Sequence, residues 1–113
     1  MTFDDQFFTT LFTKLKTTPS ESLESEYIEF KHYESESSLH NCKHLAEEIS
    51  ALANLYGGII IVGVKDSCNV SNGRWLEQLV GFQKVDLAAT KERIKGKIRP
   101  HIDLGFTYLN FDL

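Results

Sequence analysis

Cysteine and proline are scarce, with two of each in 113 residues. Cys42 and Cys68 stand far apart and form no Cys-x-x-Cys unit, which excludes a disulfide scaffold and a thiolate zinc site. Both thiols are expected to be reduced. Long apolar runs are also missing: the longest, at 59–64, has the length of one strand, so the sequence contains neither a transmembrane helix nor the core of a signal peptide. The expected compartment is the cytoplasm, with no membrane partner. Basic charge is in deficit, 12 Lys and Arg against 16 Asp and Glu, and a net charge of −4 excludes whole-body attraction to nucleic acid or to an anionic membrane. What the chain does have is apolar material, 42% hydrophobic with 12% aromatic, enough for the core of one domain.

The charge is unevenly distributed. Residues 1–56 carry 4 basic and 10 acidic side chains, whereas residues 57–113 carry 8 basic and 6 acidic. Within 84–101 the basic excess is sharper: Lys84, Lys91, Arg93, Lys95, Lys97 and Arg99 against Asp86 and Glu92. An anionic ligand should meet this segment first.

Residues 1–16 read as an amphipathic helix capped by Thr2, with Asp4 and Asp5 at the positive end of its dipole and Lys14 and Lys16 at the negative end. Phe3, Phe7, Phe8, Leu11, Phe12 and Leu15 fall on one side, a surface that must be covered by the same domain or by a second subunit. Docking within the chain is the expectation. Residues 17–26 are polar, contain Pro19 and read as a linker. From 27 to 33 the pattern alternates, placing Ile28, Phe30 and His32 on one face of a strand and Tyr27, Glu29, Lys31 and Tyr33 on the other.

Ser38 is placed to cap a helix in which Leu39, Cys42, Leu45, Ala46, Ile49, Leu52 and Ala53 form one stripe, ending at Gly57-Gly58. The aliphatic run 59–64 follows as a buried strand, so the three elements form a βαβ unit with parallel strands. Residues 76–82 are expected to return as an antiparallel strand after the Asn72-Gly73 turn. Asp86 is placed to cap a helix running to about Arg99, with Leu87, Ile94 and Ile98 inward and Pro100 at its end, and 102–111 reads as a last strand. That strand reaches residue 113 with no hairpin partner, so the chain is expected to be the N-terminal part of a longer protein, or to have its sheet completed by another segment or subunit, as in a homodimer.

Three constellations could carry chemistry. Gly57, Gly58 and Gly63 end a helix and sit before or within a strand, the wrong place for a Walker loop or a dinucleotide fold, so cap and packing roles are favoured. His40 and His44, with Glu47 and Glu48 one turn on, have a spacing that could hold a divalent metal, but a solvated helix face is the preferred reading. Glu24 and Glu29 bracket the first strand and Asp66 follows the second. If they cluster they suit Mg²⁺ or Mn²⁺, which take oxygen ligands and activate water against a phosphodiester; the alternative is that Glu29 pairs with Lys31 or Lys65.

The segments Glu24-Ser-Glu-Tyr-Ile-Glu-Phe-Lys31, Leu52-Ala-Asn-Leu-Tyr-Gly-Gly-Ile-Ile-Ile-Val-Gly-Val-Lys-Asp66, Gly81-Phe82 and Ile98-Arg-Pro-His-Ile102 together resemble the AlbA_2 domain of the Schlafen family. The resemblance implies an α/β (α+β) fold, an Alba-like two-layer sandwich over 27–113 with a mixed sheet, two packed helices and an extra N-terminal helix. It also implies nucleic-acid association, often in bacterial transcriptional regulators. In the Schlafen nucleases, two glutamates five apart and an aspartate after the Gly-Gly strand form a metal-dependent site, and Glu24, Glu29 and Asp66 match those positions. Two departures stand out: the animal nucleases pair two such lobes, whereas this chain has one, and the family domain continues into a further strand.

Three functions follow as expectations. The first is a nucleic-acid-binding module, for DNA before structured RNA, with Lys31, Lys65, Lys84, Lys91, Lys95 and Arg99 as phosphate contacts. The second is an endoribonuclease dependent on Mn²⁺ or Mg²⁺ bound by Glu24, Glu29 and Asp66. The third is a dimerisation or peptide-binding module that uses the Phe-rich helix.

Overall fold

A computed structural model describes residues 3–35, 38–39, 43–54, 57–66, 70, 73–82, 86–96, 105, 107 and 109. Helix α1 spans Asp5–Leu15, strand β1 Ile28–Lys31, helix α2 Lys43–Asn54, strand β2 Ile59–Val62 and helix α3 Leu87–Lys95, with 3-10 turns at Ser20–Ser22 and Trp75–Gln78. The fold is mixed α+β. β1 and β2 pair in parallel, Ile28 opposite Ile59 and Lys31 opposite Val62, as the βαβ reading requires.

Parallel strands usually have both faces covered, and each face of this pair packs against a cluster of its own, the first buried and the second half-buried. One face packs Ile28, Phe30 and Ile61 against Leu11 and Leu15 of α1, with Val64 at the edge and Phe7, Phe8, Phe12, Leu23 and Tyr27 around them. The other meets α2 and α3, where Leu39, Leu45, Ala46 and Ile94 are buried and Tyr33, Ile49, Ile60, Val62 and Phe82 pack against them. The Phe-rich side of α1 is therefore docked on its own sheet, and Phe7 stacks edge-on with both Phe3 and Phe8.

The cap of α1 is Asp4, whose Oδ1 accepts from Phe7 N–H at 2.8 Å; the expected Thr2 cap lies outside the described residues. Ser35, rather than Ser38, supplies the capping oxygen before the second helical region: its Oγ accepts from Ser38 N–H at 3.1 Å, and 38–39 are already helical. Asp86 caps α3 as expected, accepting from Ala89 N–H at 3.1 Å. Three face assignments are corrected. Tyr27 precedes β1 and packs with the α1 cluster, His32 follows β1 and is exposed, and Ala53 is exposed on α2.

The turn from α2 into β2 depends on glycine. Gly57 closes the helix at φ +83°, its N–H donating to Leu52 O at 2.8 Å. A Cβ on Gly58 would lie 2.5 Å from Tyr27 O, so the start of β2 can approach β1 only without a side chain.

The expected strand over 76–82 is a 3-10 turn instead, and antiparallel pairing shrinks to one bridge between Val64 and Leu79. The cause is Gln78. Alternation would put Leu76 and Val80 inside, yet they are 47% and 43% exposed while Gln78 is fully buried. Its Oε1 accepts from Ser20 N–H at 2.6 Å, and its Nε2 faces the carbonyls of Leu15, Thr18 and Trp75 at 2.9–3.2 Å. Ser20 Oγ in turn donates to Lys65 O at 3.0 Å. A polar group buried with its bonds made costs little, so this arrangement outweighs two buried aliphatics. The expected last strand over 102–111, Ile98 and Pro100 lie almost wholly outside the described residues.

Candidate functional site

Alternation along β1 separates two environments. Ile28 and Phe30 enter the α1 core, and Glu29 and Lys31 take the opposite face, in register with Ile60 and Val62. A lysine placed beside a helix needs an anion, and α2 provides one: Lys31 Nζ lies 2.6 Å from Glu48 Oε1 and 3.8 Å from Glu29 Oε1. The linker brings Glu24 to the same place, where its Oε2 accepts from Phe30 N–H at 3.4 Å and its carboxyl hydrogen-bonds that of Glu29.

The site is acidic and crowded. Burial pushes the Glu29 carboxyl up from 4.5 to about 7, helped by the hydrogen bond and charge of Glu24 and the charge of Glu48, and opposed by Lys31. A hydrogen bond between two carboxyls needs a proton on one of them, and raising the Glu29 carboxyl to about 7 keeps that proton available through the mildly acidic range. Glu48 is incompletely satisfied: Oε1 is held by Lys31, whereas Oε2 is buried with no hydrogen-bond partner among the described residues.

The structure brings Glu24, Glu29 and Lys31 together and leaves Asp66 apart. Asp66 is exposed beyond β2, and among the described residues no three His, Cys, Asp or Glu side chains converge as cation ligands would. As placed, the carboxylates do not form the three-acid centre that a Mg²⁺ or Mn²⁺ ion would occupy. Lys65 is half-buried and uses its backbone to join Gln78 O and Ser20 Oγ. Lys91 and Lys95 are half-buried on α3, flanking the buried Thr90 and Ile94, and Arg93 is exposed. Lys84 and Arg99 lie outside the described residues, as do His40, Cys42, Cys68 and Lys97. His44 pairs with Glu47 at 3.3 Å on a solvated helix face, as preferred from the sequence.

Glu48 is the residue that sequence reasoning missed as a partner of Lys31. A signal was present: at 100° per residue Glu48 borders the apolar stripe next to Leu52, where a carboxylate can reach the sheet. Its neighbour Glu47 points to water.

No helix among the described residues is long and apolar enough to cross a membrane. Comparison with curated proteins and with solved structures gives no match. The family model Schlafen, AlbA_2 matches residues 24–113, a span that opens on Glu24 and includes β1, α2, β2 and α3. Because that match covers well over half of the sequence, the chain belongs to the Schlafen AlbA_2 family.

Proposed function

We propose that this domain binds nucleic acid, DNA before structured RNA, as the binding module of a transcriptional regulator. The family membership carries the reading, since the Schlafen AlbA_2 group is generally nucleic-acid related. Two features support it. α3 is anchored by Thr90 and Ile94, and Lys91 and Lys95 flank that anchor, so two cations at i and i+4 stand on a packed element. The helix expected to run to about Arg99 ends at Lys95, with Gly96 as its cap, so Arg99 follows α3 in sequence and is proposed, with Lys84, Lys65 and Lys31, as a further phosphate contact. A net charge of −4 then makes binding local to this segment rather than general. The test is a filter-binding salt titration of wild type and of a variant with Lys91, Lys95 and Arg99 changed to Glu. Losing three phosphate contacts should reduce the salt slope by roughly three units. Unchanged affinity and slope would remove α3 as the contact.

A second reading, an endoribonuclease dependent on Mn²⁺ or Mg²⁺, is favoured by one observation, the pairing of Glu24 with Glu29. It requires Asp66 to join that pair. Calorimetric titration of Mn²⁺ into wild type and Glu29→Gln tests it, together with degradation of structured RNA in Mn²⁺ and in EDTA. Absence of Mn²⁺ binding in wild type would eliminate it.

A further inference from the structure

Glu48 is not among the residues proposed above to contact phosphate, yet it holds the shortest ion pair described in the chain, 2.6 Å from Lys31. The pair is half-buried, with the Lys31 and Glu48 side chains 24% and 33% exposed. Half-burial lessens the screening of the attraction by solvent, and the desolvation of both charges offsets part of that gain. The carboxylate is nevertheless poorly housed. Its Oε2 is shut away from water without a hydrogen-bond partner among the described residues, and Glu24 and Glu29 crowd the same space. An unpartnered buried acceptor carries an unrecovered desolvation cost. Turning Glu48 outward would restore water to Oε2 and relieve the repulsion among the carboxylates, at the expense of leaving Lys31 without that anion.

We propose that Glu48 is a displaceable stand-in for a nucleic-acid phosphate on Lys31, so that it sets the affinity of the site by competing with the backbone of the ligand. A phosphate oxygen arriving at Lys31 Nζ replaces the Glu48 carboxylate, which swings to solvent and regains hydration. The exchange keeps the ammonium paired and removes an unsatisfied buried oxygen. It makes Lys31 a conditional contact, engaged only when a phosphate outcompetes an anion already in place. Glu47, one residue away, carries the same charge but pairs with His44 on the outer side of α2, and takes no part.

This proposal rests on the nucleic-acid reading above and deepens it, and its test separates the two. Filter-binding salt titrations on a random-sequence DNA duplex compare the full chain with Glu48→Gln, Glu47→Gln, Lys31→Gln and the double variant Lys31→Gln/Glu48→Gln. Glu48→Gln should bind more tightly, with the slope of log K against log salt steeper by about one unit, because one further cation becomes available. Glu47→Gln should match wild type, and the gain should vanish in the double variant. Wild-type binding with no steepening in Glu48→Gln would overturn the competition and leave the nucleic-acid reading standing. An equal gain in Glu47→Gln, or one that persists without Lys31, would also overturn it, as a general charge effect. If neither wild type nor Glu48→Gln binds duplex at low salt, both readings fall.

Discussion

The two faces of the small parallel sheet are built from alternate residues of the same four-residue strand, yet they are physically unlike. Against α1, Ile28 and Phe30 meet Leu11, Leu15 and Ile61, and the polar group sealed beside them, Gln78, has its hydrogen bonds made. Against α2, Glu29 and Lys31 bring charge into a layer that also holds Leu45, Ala46 and Ile60. There a carboxyl keeps its proton to about pH 7 and a carboxylate oxygen has no hydrogen-bond partner among the described residues. The first face contributes stability; the second gives some of it up to hold ionisable groups close together. Unsatisfied charge in native proteins is concentrated where function needs it, and here it marks which side of β1 to test.

The largest effect should come from the α1 face. Leu15 has no exposed surface, so Leu15→Ala should cost about 2–5 kcal/mol by urea denaturation. A smaller loss would mean that α1 adds little to the core. Gln78→Leu comes next. It removes the acceptor of Ser20 N–H and the donor to the Leu15 and Thr18 carbonyls, stranding the buried Ser20 and Leu15 groups, for about 2–3 kcal/mol. The loss should appear first as faster amide exchange at Ser20.

The opposite face should respond weakly and with the other sign. Folded Glu29 titrates near 7 against 4.5 for an ordinary carboxyl, so the native state binds the extra proton between those values and stability falls as pH rises through the window. Glu29→Gln should remove that slope and leave the protein more stable at pH 8, on the order of 1 kcal/mol once the partial exposure of the group is allowed for. Denaturation midpoints at pH 5 and pH 8 check it. A variant less stable than wild type at pH 8 would mean that the Lys31 attraction outweighs burial and the neighbouring carboxylates.

How much of this was legible depends on the range of the interaction. α1, β1, β2 and the parallel pairing follow from periods of 3.6 and 2 and from the Gly57-Gly58 stop, all local signals. The strand expected at 76–82 failed because Leu76, Gln78 and Val80 carry the alternation of a strand, while the position of Gln78 is decided by Leu15, Thr18 and Ser20 some sixty residues earlier. Likewise Glu24, Glu29 and Lys31 could be grouped from the sequence because they share one strand and its approach. Glu48 reaches them from α2, and Asp66 stays apart, through tertiary placement that spacing does not encode.

The Gln78 strut also bears on where the working unit begins. The family match opens at residue 24, but the hydrogen bonds do not respect that line: Leu15, Thr18 and Ser20 are tied to Gln78, and Ser20 to Lys65. A chain started at residue 24 would uncover Ile28, Phe30 and Ile61 and strand a buried amide. Residues 5–23 thus supply one covering layer of the sheet, outside the span by which the family is recognised. The matched span alone leaves out the layer that covers Ile28, Phe30 and Ile61.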